Sequence, residues 1–194
     1  MKNKLAIFDL DGTLVDSAKV NYYAYRQALE AYGYALSEDY FFTHCNGRHY
    51  TLFLPEIMGK DTKDIQSVHT LKQKVYMEHL PQVVVNRKLF DIISLIRPEY
   101  HIALVTTASK PNCTDILRYL DRETLFELVI TGDDVERTKP DPEGFSAAMR
   151  HFGVTAQNTL IFEDSEDGLQ AAQSSGAQYM KVYGYNQGSQ RQYG

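Results

Sequence analysis

The chain of 194 residues is long enough for one hydrophobic core, or for one core that carries a smaller appended unit. Hydrophobic residues make up 43% of the sequence and charged residues 23%, which is typical of a globular protein and excludes a collagenous, fibrous or disordered chain. The formal net charge of -5 provides no general positive surface for nucleic acid or an anionic membrane, so any positive charge for an anionic substrate must be local.

The sequence carries few signals for secretion, membrane insertion or cysteine chemistry. The apolar stretch Leu5–Phe8 is too short for a signal-peptide core or a membrane span, and we therefore expect a cytoplasmic protein. The two cysteines, Cys45 and Cys113, are far apart, which predicts reduced thiols rather than a disulfide framework or a metal site. The six histidines show no spacing typical of zinc ligands.

Short apolar runs recur along the chain, and they are rich in Ile, Val, Leu and Phe without alternation. Runs of this kind predict strands that are buried on both faces, as in a parallel sheet. In chain order they are Leu5–Leu10, Ile102–Thr106, Leu128–Thr131, Thr159–Phe162 and Tyr179–Val182.

Helical patterns separate the later runs, and each has signals at its ends. The N-terminal signals are Asn86, Ser109 before Lys110-Pro111, Asp141-Pro142 and Ser165, and the stops include Pro98, Gly153 and Gly176. The apolar face of the first of these helices consists of Leu89, Ile92, Ile93 and Ile96. Strand and helix thus alternate from about residue 88 onward, which predicts βαβ units with right-handed crossovers.

Residues 17 to about 84 show helical periodicity and no convincing buried strand. Ser17 is a candidate N-cap for a helix that reaches Tyr32, and a second helix is predicted over Asp61–Leu80 with Ile65, Val68, Leu71 and Val75 on one face. This segment therefore reads as a helical insert after the first strand. The polar tail from Gly184 to Gly194 is expected to be loosely held.

Polar side chains gather where the predicted strands end. In an open parallel sheet, ligands bind outside the carboxyl ends of the strands, so these positions carry the most information. Each residue alone has an ordinary structural role, but clustered carboxylates repel one another and lose their charge unless a cation is near. The residues are Asp9 and Asp11 after the first strand, Thr106 and Thr107 after the second, Lys139 after the third, and Glu163 and Asp164 after the fourth.

The chemistry of this set favours Mg²⁺ and a phosphoryl group. Carboxylate oxygens without a neighbouring His or Cys select Mg²⁺ over Zn²⁺. Lys139 and Thr106 would hold the equatorial oxygens of the phosphoryl group, and the backbone of Gly12-Thr13 would approach closely because glycine leaves room. One aspartate can then act as a nucleophile, with a second acid that protonates the leaving oxygen.

Four stretches of the sequence resemble, in order, the signature motifs of the haloacid dehalogenase (HAD) superfamily. They are DLDGTLVDS, LVTTAS, TKPDPEGF and FEDSEDGLQAAQSSGA, and their wording is similar to the subgroup that contains phosphoglycolate phosphatase and β-phosphoglucomutase. The resemblance implies a Rossmann-like three-layer α/β core with a central parallel sheet, formed by residues 1–16 and 85–194. It also implies a small α-helical cap domain, residues 17–84, with a hinge near Asp16–Ser17 and Val83–Asn86.

The resemblance also implies roles for single residues. Asp9 would be the nucleophile and Asp11 the general acid and base. Mg²⁺ would be bound by Asp9, the backbone carbonyl of Asp11 and Asp164, with Glu163 in or next to that set. Thr106 and Lys139 would hold the phosphate, Lys139 would also steady Asp9, and Gly12, Thr13 and Thr107 would contact the substrate. Asp167 either supports the ligands from behind or caps its helix.

The presence of Asp11 separates this chain from the dehalogenases of the superfamily, which lack the second acid of the first motif. Thr13 and Asn21 stand where β-phosphoglucomutase-like proteins usually carry Val or Ile and a histidine. Hydrolysis of a phosphate ester is therefore favoured. The alternatives are a phosphomutase and a non-catalytic module that binds phosphate or metal.

The cap domain should select the substrate. The stretch CNGRHY, residues 45–50, resembles the cap loop in which this subgroup often places a basic residue, so Arg48 would reach the leaving portion of the substrate. The alternative is a surface turn at Asn46-Gly47 with a solvated arginine. The expected partner is a small phosphorylated metabolite, and neither nucleic acid nor membrane; the oligomeric state is not indicated.

Overall fold

A computed structural model describes residues 2–59 and 63–184. The chain divides into two compact units. The first contains the residues up to Asp16 together with those from Val85 onward, and the second is Ser17–Val84. None of the helices in the described ranges has the length and apolarity needed to cross a membrane.

The regular elements alternate along the first unit, whereas the second is mainly helical. The strands are β1 (Lys4–Phe8), β2 (Val15–Asp16), β3 (Val84–Val85), β4 (Tyr100–Val105), β5 (Leu128–Ile130), β6 (Thr159–Glu163) and β7 (Gln178–Lys181). The α-helices are α1 (Ala18–Glu30), α2 (Glu38–Tyr40), α3 (Tyr50–Met58), α4 (Ile65–Val75), α5 (Arg87–Ile96), α6 (Lys110–Tyr119), α7 (Glu143–Phe152) and α8 (Glu166–Ser175). Strands β2 and β3 form a separate two-stranded sheet.

The first unit is built on a parallel five-stranded sheet in the order β5-β4-β1-β6-β7. Strand β1 lies in the centre, where Phe8 pairs with Leu104 of β4 and with Phe162 of β6. The side chains from Leu5 to Phe8 are fully buried. The Rossmann-like α/β fold predicted from the sequence is confirmed, and its parallel register brings the ends of β1, β4 and β6 to one edge.

The prediction that all five strands are buried on both faces is wrong for β7. All four of its residues are exposed, including Tyr179 and Met180. Strand β7 is the outermost described strand beside β6, so fewer side chains pack against it. An apolar run therefore predicts a strand, but it does not predict whether the strand lies at the centre or at the edge of the sheet.

Most of the helix boundaries follow the capping signals. Asn86 Oδ1 accepts a hydrogen bond from Leu89 N at 3.3 Å, and Ser165 Oγ accepts one from Gly168 N at 3.1 Å. Gly153 ends α7 in the left-handed conformation with φ of 64°. On α5 the predicted apolar face is partly wrong, because Ile92 is 40% exposed while Phe90 is buried.

The second unit has its own apolar cluster, formed mainly by α1, α3 and α4. Helix α1 ends at Glu30, two residues before the predicted end. Helix α4 continues as a 3₁₀ helix, Tyr76–Gln82. The helix predicted over Asp61–Leu80 was expected to begin within residues 60–62, which lie outside the described residues. Lys72 is buried, with its ammonium 4.3 Å from the centroid of the Tyr76 ring. The polar tail from residue 185 onward also lies outside the described residues.

One glutamate connects the N-terminal ends of β4 and β5. Glu127 precedes β5 and accepts hydrogen bonds from Lys2 Nζ at 2.7 Å and Ile102 N at 3.3 Å, and it contacts His101 Nδ1 at 2.8 Å. Burial opposes ionisation of Glu127, but these three partners outweigh it and lower its pKa to about 2. The carboxylate therefore stabilises the folded state at neutral pH.

We expect Glu127→Gln to lower the free energy of unfolding by about 1 kcal/mol at pH 7, a value that allows for partial solvent screening. Because the folded pKa lies below the ordinary value, this stabilisation is present above about pH 4.5 and is lost as pH falls towards 2. Urea unfolding at several pH values measures the difference. Glu30→Gln, which removes an exposed i,i+4 partner of Arg26, is the control and should change stability little. A Glu127→Gln difference that does not shrink in acid would contradict the assignment.

Candidate active site

Three carboxylates meet at the carboxyl edge of the sheet. Asp9 follows β1, Glu163 ends β6 and Asp164 comes next, and one oxygen of each lies within 4.8 Å of the other two. Asp9 and Glu163 are buried, and Asp164 is half-buried. The N–H of Asp9 donates to the carbonyl of Phe162 at 3.0 Å, which continues the pairing of β1 with β6 to the site itself. The nucleophile candidate is therefore held by the backbone of the sheet.

Lys139 connects this cluster to a third strand. Its Nζ donates to Asp9 Oδ1 at 2.6 Å, to the carbonyl of Val105 in β4 at 3.1 Å and to Glu163 Oε2 at 3.4 Å. Only 7% of the lysine side chain is exposed. Burial lowers the pKa of Lys139, but the negative charges of Asp9 and Glu163 outweigh burial and raise it. The ammonium therefore stays charged and neutralises part of the acidic cluster.

The remaining negative charge raises the pKa values of the acids. Burial raises the pKa of Asp9 in spite of Lys139. Burial and repulsion from Asp9 raise the pKa of Glu163 to about 7 and that of Asp164 to about 6. One ammonium against three carboxylates leaves an excess of negative charge in a space that is largely shielded from water. Carboxylate oxygens whose negative charge is only partly neutralised are suitable ligands for a hard divalent cation.

Asp164 takes its position from the turn after β1. Thr13 Oγ1 donates to Asp164 Oδ1 at 2.9 Å. Gly12 adopts φ of 92°, and a Cβ added there would lie 2.0 Å from Asp164 Oδ2. The absence of a side chain at residue 12 is therefore what lets the carboxylate approach the turn.

Glu163 is held by two residues that the sequence reasoning did not assign to the site. Ser165 Oγ, predicted as the cap of α8, also donates to Glu163 Oε1 at 2.5 Å. A Cβ on Gly168 would lie 1.7 Å from the same oxygen. A glycine in the first turn of a helix is unfavourable by itself, and this was the available signal for a close approach.

Two further predicted residues lie in the loop after β4. Thr106 is buried, donates its N–H to the carbonyl of Ile130 at 2.9 Å and accepts a bond from Ala108 N at 3.1 Å through Oγ1. Thr107 is exposed. Thr106, Thr107 and Lys139 line one pocket at this edge of the sheet.

The acid proposed for proton transfer, Asp11, lies in the turn between β1 and β2. This turn is closed by a bond from Gly12 N to the carbonyl of Val15 at 2.6 Å. Asp11 is exposed, in contrast to Asp9 two residues earlier. The two acids therefore have different environments, one buried against Lys139 and one open to solvent.

Arg48 belongs to the second unit, where it pairs with Glu56 and His44. Its guanidinium forms two bonds to the Glu56 carboxylate, at 2.7 and 3.0 Å, and donates to the carbonyl of His44 at 2.6 Å. This pair holds the guanidinium plane in one orientation. Contact between Arg48 and a substrate stays a prediction.

Comparison with known proteins shows which family the chain is similar to. The family model for haloacid dehalogenase-like hydrolases matches residues 6–182. A phosphorylated carbohydrates phosphatase of Thermotoga maritima is 32% identical over 184 residues, which covers 92% of this chain and 83% of that protein. A phosphoglycolate phosphatase of Colwellia psychrerythraea is 28% identical, with 100% of this chain and 91% of the relative covered.

A solved structure of a Thermotoga maritima protein, provisionally assigned as a β-phosphoglucomutase, superposes with a TM-score of 0.77 at 28% identity and covers 96% of this chain and 88% of that one. The chain thus belongs to the haloacid dehalogenase-like hydrolase family, as the motifs predicted. It is an enzyme of the HAD-like phosphatase class.

Substitution of Gly12 tests the close approach of Asp164. Gly12→Ala should weaken divalent cation binding strongly, because the new Cβ displaces the Asp164 carboxylate, and should also cost about 1 kcal/mol of stability from the positive φ. Gly33→Ala is the matched control, since Gly33 has φ of 82° with no described atom within 4 Å of the added Cβ. Titration calorimetry with MgCl₂ and thermal unfolding measure the two effects. Equal Mg²⁺ affinity in the two variants would contradict this account.

Proposed function

We propose that this protein is a Mg²⁺-dependent phosphatase that hydrolyses a small phosphorylated metabolite through an aspartyl-phosphate intermediate on Asp9. The observation that carries the proposal is the buried contact of 2.6 Å between Lys139 Nζ and Asp9 Oδ1, beside Glu163 and Asp164. A carboxylate that is buried, paired with an ammonium and fixed in one orientation is suited to nucleophilic attack.

The proposed reaction has two steps. An oxygen of Asp9 attacks the phosphorus and the ester P–O bond breaks, while Asp11 gives its proton to the leaving oxygen of the alcohol. A water molecule then attacks the phosphorus of the aspartyl phosphate, Asp11 accepts a proton from that water, and inorganic phosphate leaves. Asp9 and Asp11 end the cycle in their starting states.

Other residues of the site hold the nucleophile and the phosphoryl group. Lys139 opposes the effect of burial on the pKa of Asp9, so more of the carboxylate is ionised than burial alone would allow. The Lys139 ammonium supplies positive charge and the Thr106 hydroxyl supplies a donor for the phosphoryl oxygens, since both line the same pocket. The backbone at Gly12-Thr13 and Thr107 complete the proposed substrate contacts.

The residues present fit Mg²⁺ as the cation. Asp9, Asp164 and the backbone carbonyl of Asp11 would hold it, and the bonds of Glu163 to Lys139 and Ser165 favour a place beside that set. When bound, Mg²⁺ supplies positive charge that offsets the carboxylates and the phosphoryl oxygens. All the proposed donors are oxygens, which suits Mg²⁺ better than Zn²⁺.

The relatives and the small size of the helical unit support the proposed substrate class. Two of the similar proteins are named for phosphorylated carbohydrates and for phosphoglycolate, which are small phosphate esters. We propose a substrate of that class, with Arg48 in contact with its non-reacting part and the helical unit acting as a cap domain, and we propose a cytoplasmic setting for the reaction.

A phosphomutase is the second candidate, and the similarity to a structure provisionally assigned as a β-phosphoglucomutase favours it. Thr13 and Asn21 argue against it, as the sequence motifs indicated. Product analysis with a sugar monophosphate and its bisphosphate separates the two, because a mutase forms an isomer whereas a phosphatase releases inorganic phosphate. The non-catalytic module is set aside, because the matched family and relatives are enzymes.

Asp9→Asn should abolish turnover, because an amide cannot form the acyl phosphate. We expect kcat to fall by about 10³-fold or more, measured as inorganic phosphate release from a panel of phosphorylated sugars and phosphoglycolate with Mg²⁺ present. Asp91→Asn, the same chemical change at an exposed position on α5, is the control and should keep wild-type activity. Phosphate release by Asp9→Asn at the wild-type rate would end the proposal.

The raised pKa values predict that Mg²⁺ binding depends on pH. A cation binds the ionised carboxylates, and the pKa of Glu163 is about 7 and that of Asp164 about 6 before it binds. Binding should therefore release protons near neutral pH, and Mg²⁺ affinity should fall as pH is lowered from 8 to 6. Titration calorimetry at pH 6.5 in buffers of different ionisation enthalpy measures the released protons. Affinity that is independent of pH over this range would contradict the charge state proposed for the site.

A further inference from the structure

A short turn after β5 contacts the loop after β4 on which Thr106 and Thr107 lie. We call the 3₁₀ turn Gly132–Asp134 the supporting turn and residues 106–109 the phosphate loop. Gly132 N donates to the carbonyl of Ala108 at 3.0 Å. A Cβ on Gly132 would lie 2.7 Å from the carbonyl oxygen of Thr107, so the two backbones approach as closely as glycine permits.

The supporting turn also supplies the N-terminal cap of α6. Ser109 occupies the N-cap position, but within the described residues its side chain makes no capping hydrogen bond. The acceptor comes instead from Asp133, whose Oδ2 receives the bond from Lys110 N at 2.8 Å. A carboxylate at this position also interacts favourably with the N-terminal end of the helix dipole.

The neighbouring Asp134 fixes the turn that carries Asp133. Asp134 Oδ2 accepts bonds from Thr131 N at 3.0 Å and from Thr131 Oγ1 at 2.6 Å. Its other oxygen, Oδ1, lies 3.2 Å from Lys110 Nζ. The side chain of Asp133 is therefore presented to α6 by a turn with an internal capping box rather than by a loose loop.

We propose that Asp133 is a positioning residue for phosphate binding, and this inference rests on the function proposed above. The cap on Lys110 fixes the C-terminal end of the phosphate loop, and strand pairing through Thr106 N and Ile130 fixes its start. Because Thr106 Oγ1 already accepts the bond from Ala108 N, its own O–H is the group that donates to a phosphoryl oxygen. Loss of the cap would let the loop move and would weaken this donation.

The test compares Asp133→Ala and Asp133→Asn with the wild type in the full-length chain. Asp133→Ala should weaken inhibition by inorganic phosphate and raise KM, each by about five-fold or more, with a smaller effect on kcat, because Asp9, Asp11 and Lys139 are untouched. Asp133→Asn keeps an oxygen acceptor and should recover most of the loss. Amide hydrogen exchange at Lys110 should become faster in Asp133→Ala, a readout that does not depend on turnover.

Glu127→Gln is the matched control, since it weakens the opposite end of β5 and does not touch the supporting turn. At a comparable fall in melting temperature it should leave phosphate inhibition at the wild-type value. Equal phosphate inhibition in Asp133→Ala and Glu127→Gln would overturn the inference, as would unchanged exchange at Lys110.

If Asp133→Ala does not fold, the same comparison is made with Asp133→Asn. An effect of about two-fold on phosphate inhibition is then expected, and the absence of any effect would overturn the inference. A wild type without turnover or phosphate inhibition would instead overturn the proposed function, and the exchange measurement would still report on the cap.

Discussion

The buried ammonium of Lys139 is the interaction on which the site depends. It contacts Asp9, Glu163 and the carbonyl of Val105, so a single charged group joins the ends of β1, β6 and β4. Buried charges are costly unless they are paired and hydrogen-bonded, and removal of one partner leaves the others uncompensated. The same contact that secures the edge of the sheet therefore also counteracts part of the rise that burial causes in the pKa of Asp9. Fold and chemistry share one interaction here, which ties the reactivity of Asp9 to the integrity of the core.

The backbone contributes as much to the site as the charged groups. Parallel register of β1 and β6 places Asp9 and Asp164 just beyond the ends of neighbouring strands. Gly12 and Gly168 then leave space that Asp164 and Glu163 occupy. A carboxylate cluster of this density forms because the sheet sets the distances and the glycines remove the steric obstacle.

Local patterns in the sequence predicted the five strands of the parallel sheet, most of the expected helix ends and the edge at which the acids meet, but not the short strands β2 and β3. These features depend on residues close together in the chain, where periodicity, capping residues and glycine have direct physical meaning. The exposure of β7 and of Ile92 could not be predicted from local patterns, because the burial of a residue depends on which elements pack beside it. An apolar run is the same run at the centre or at the edge of a sheet.

Hydrogen bonds between residues that are far apart in the chain were the other feature that the sequence did not predict. Ser109 is a residue type that is common at N-caps, yet the acceptor for Lys110 N is Asp133, 23 residues after Lys110 in the chain. The second bond of Ser165, to Glu163, was likewise invisible, since the capping role already explained the serine. In both cases the capping role explained the serine from its local sequence, so the local pattern provided no reason to expect another contact. Motif resemblance predicted which acids belong to the site, and three of them, Asp9, Glu163 and Asp164, lie close together in the structure.

The central claim is that the phosphoryl group passes through a covalent bond to Asp9. The most direct measurement is to quench the enzyme during turnover, reduce it with borohydride and determine by peptide mass spectrometry which residue was modified. An acyl phosphate at Asp9 is reduced to homoserine, and the account predicts this product at residue 9 in the presence of substrate and Mg²⁺ and not in their absence. Turnover with the covalent phosphate on another residue, or with an unmodified Asp9 throughout, would contradict it.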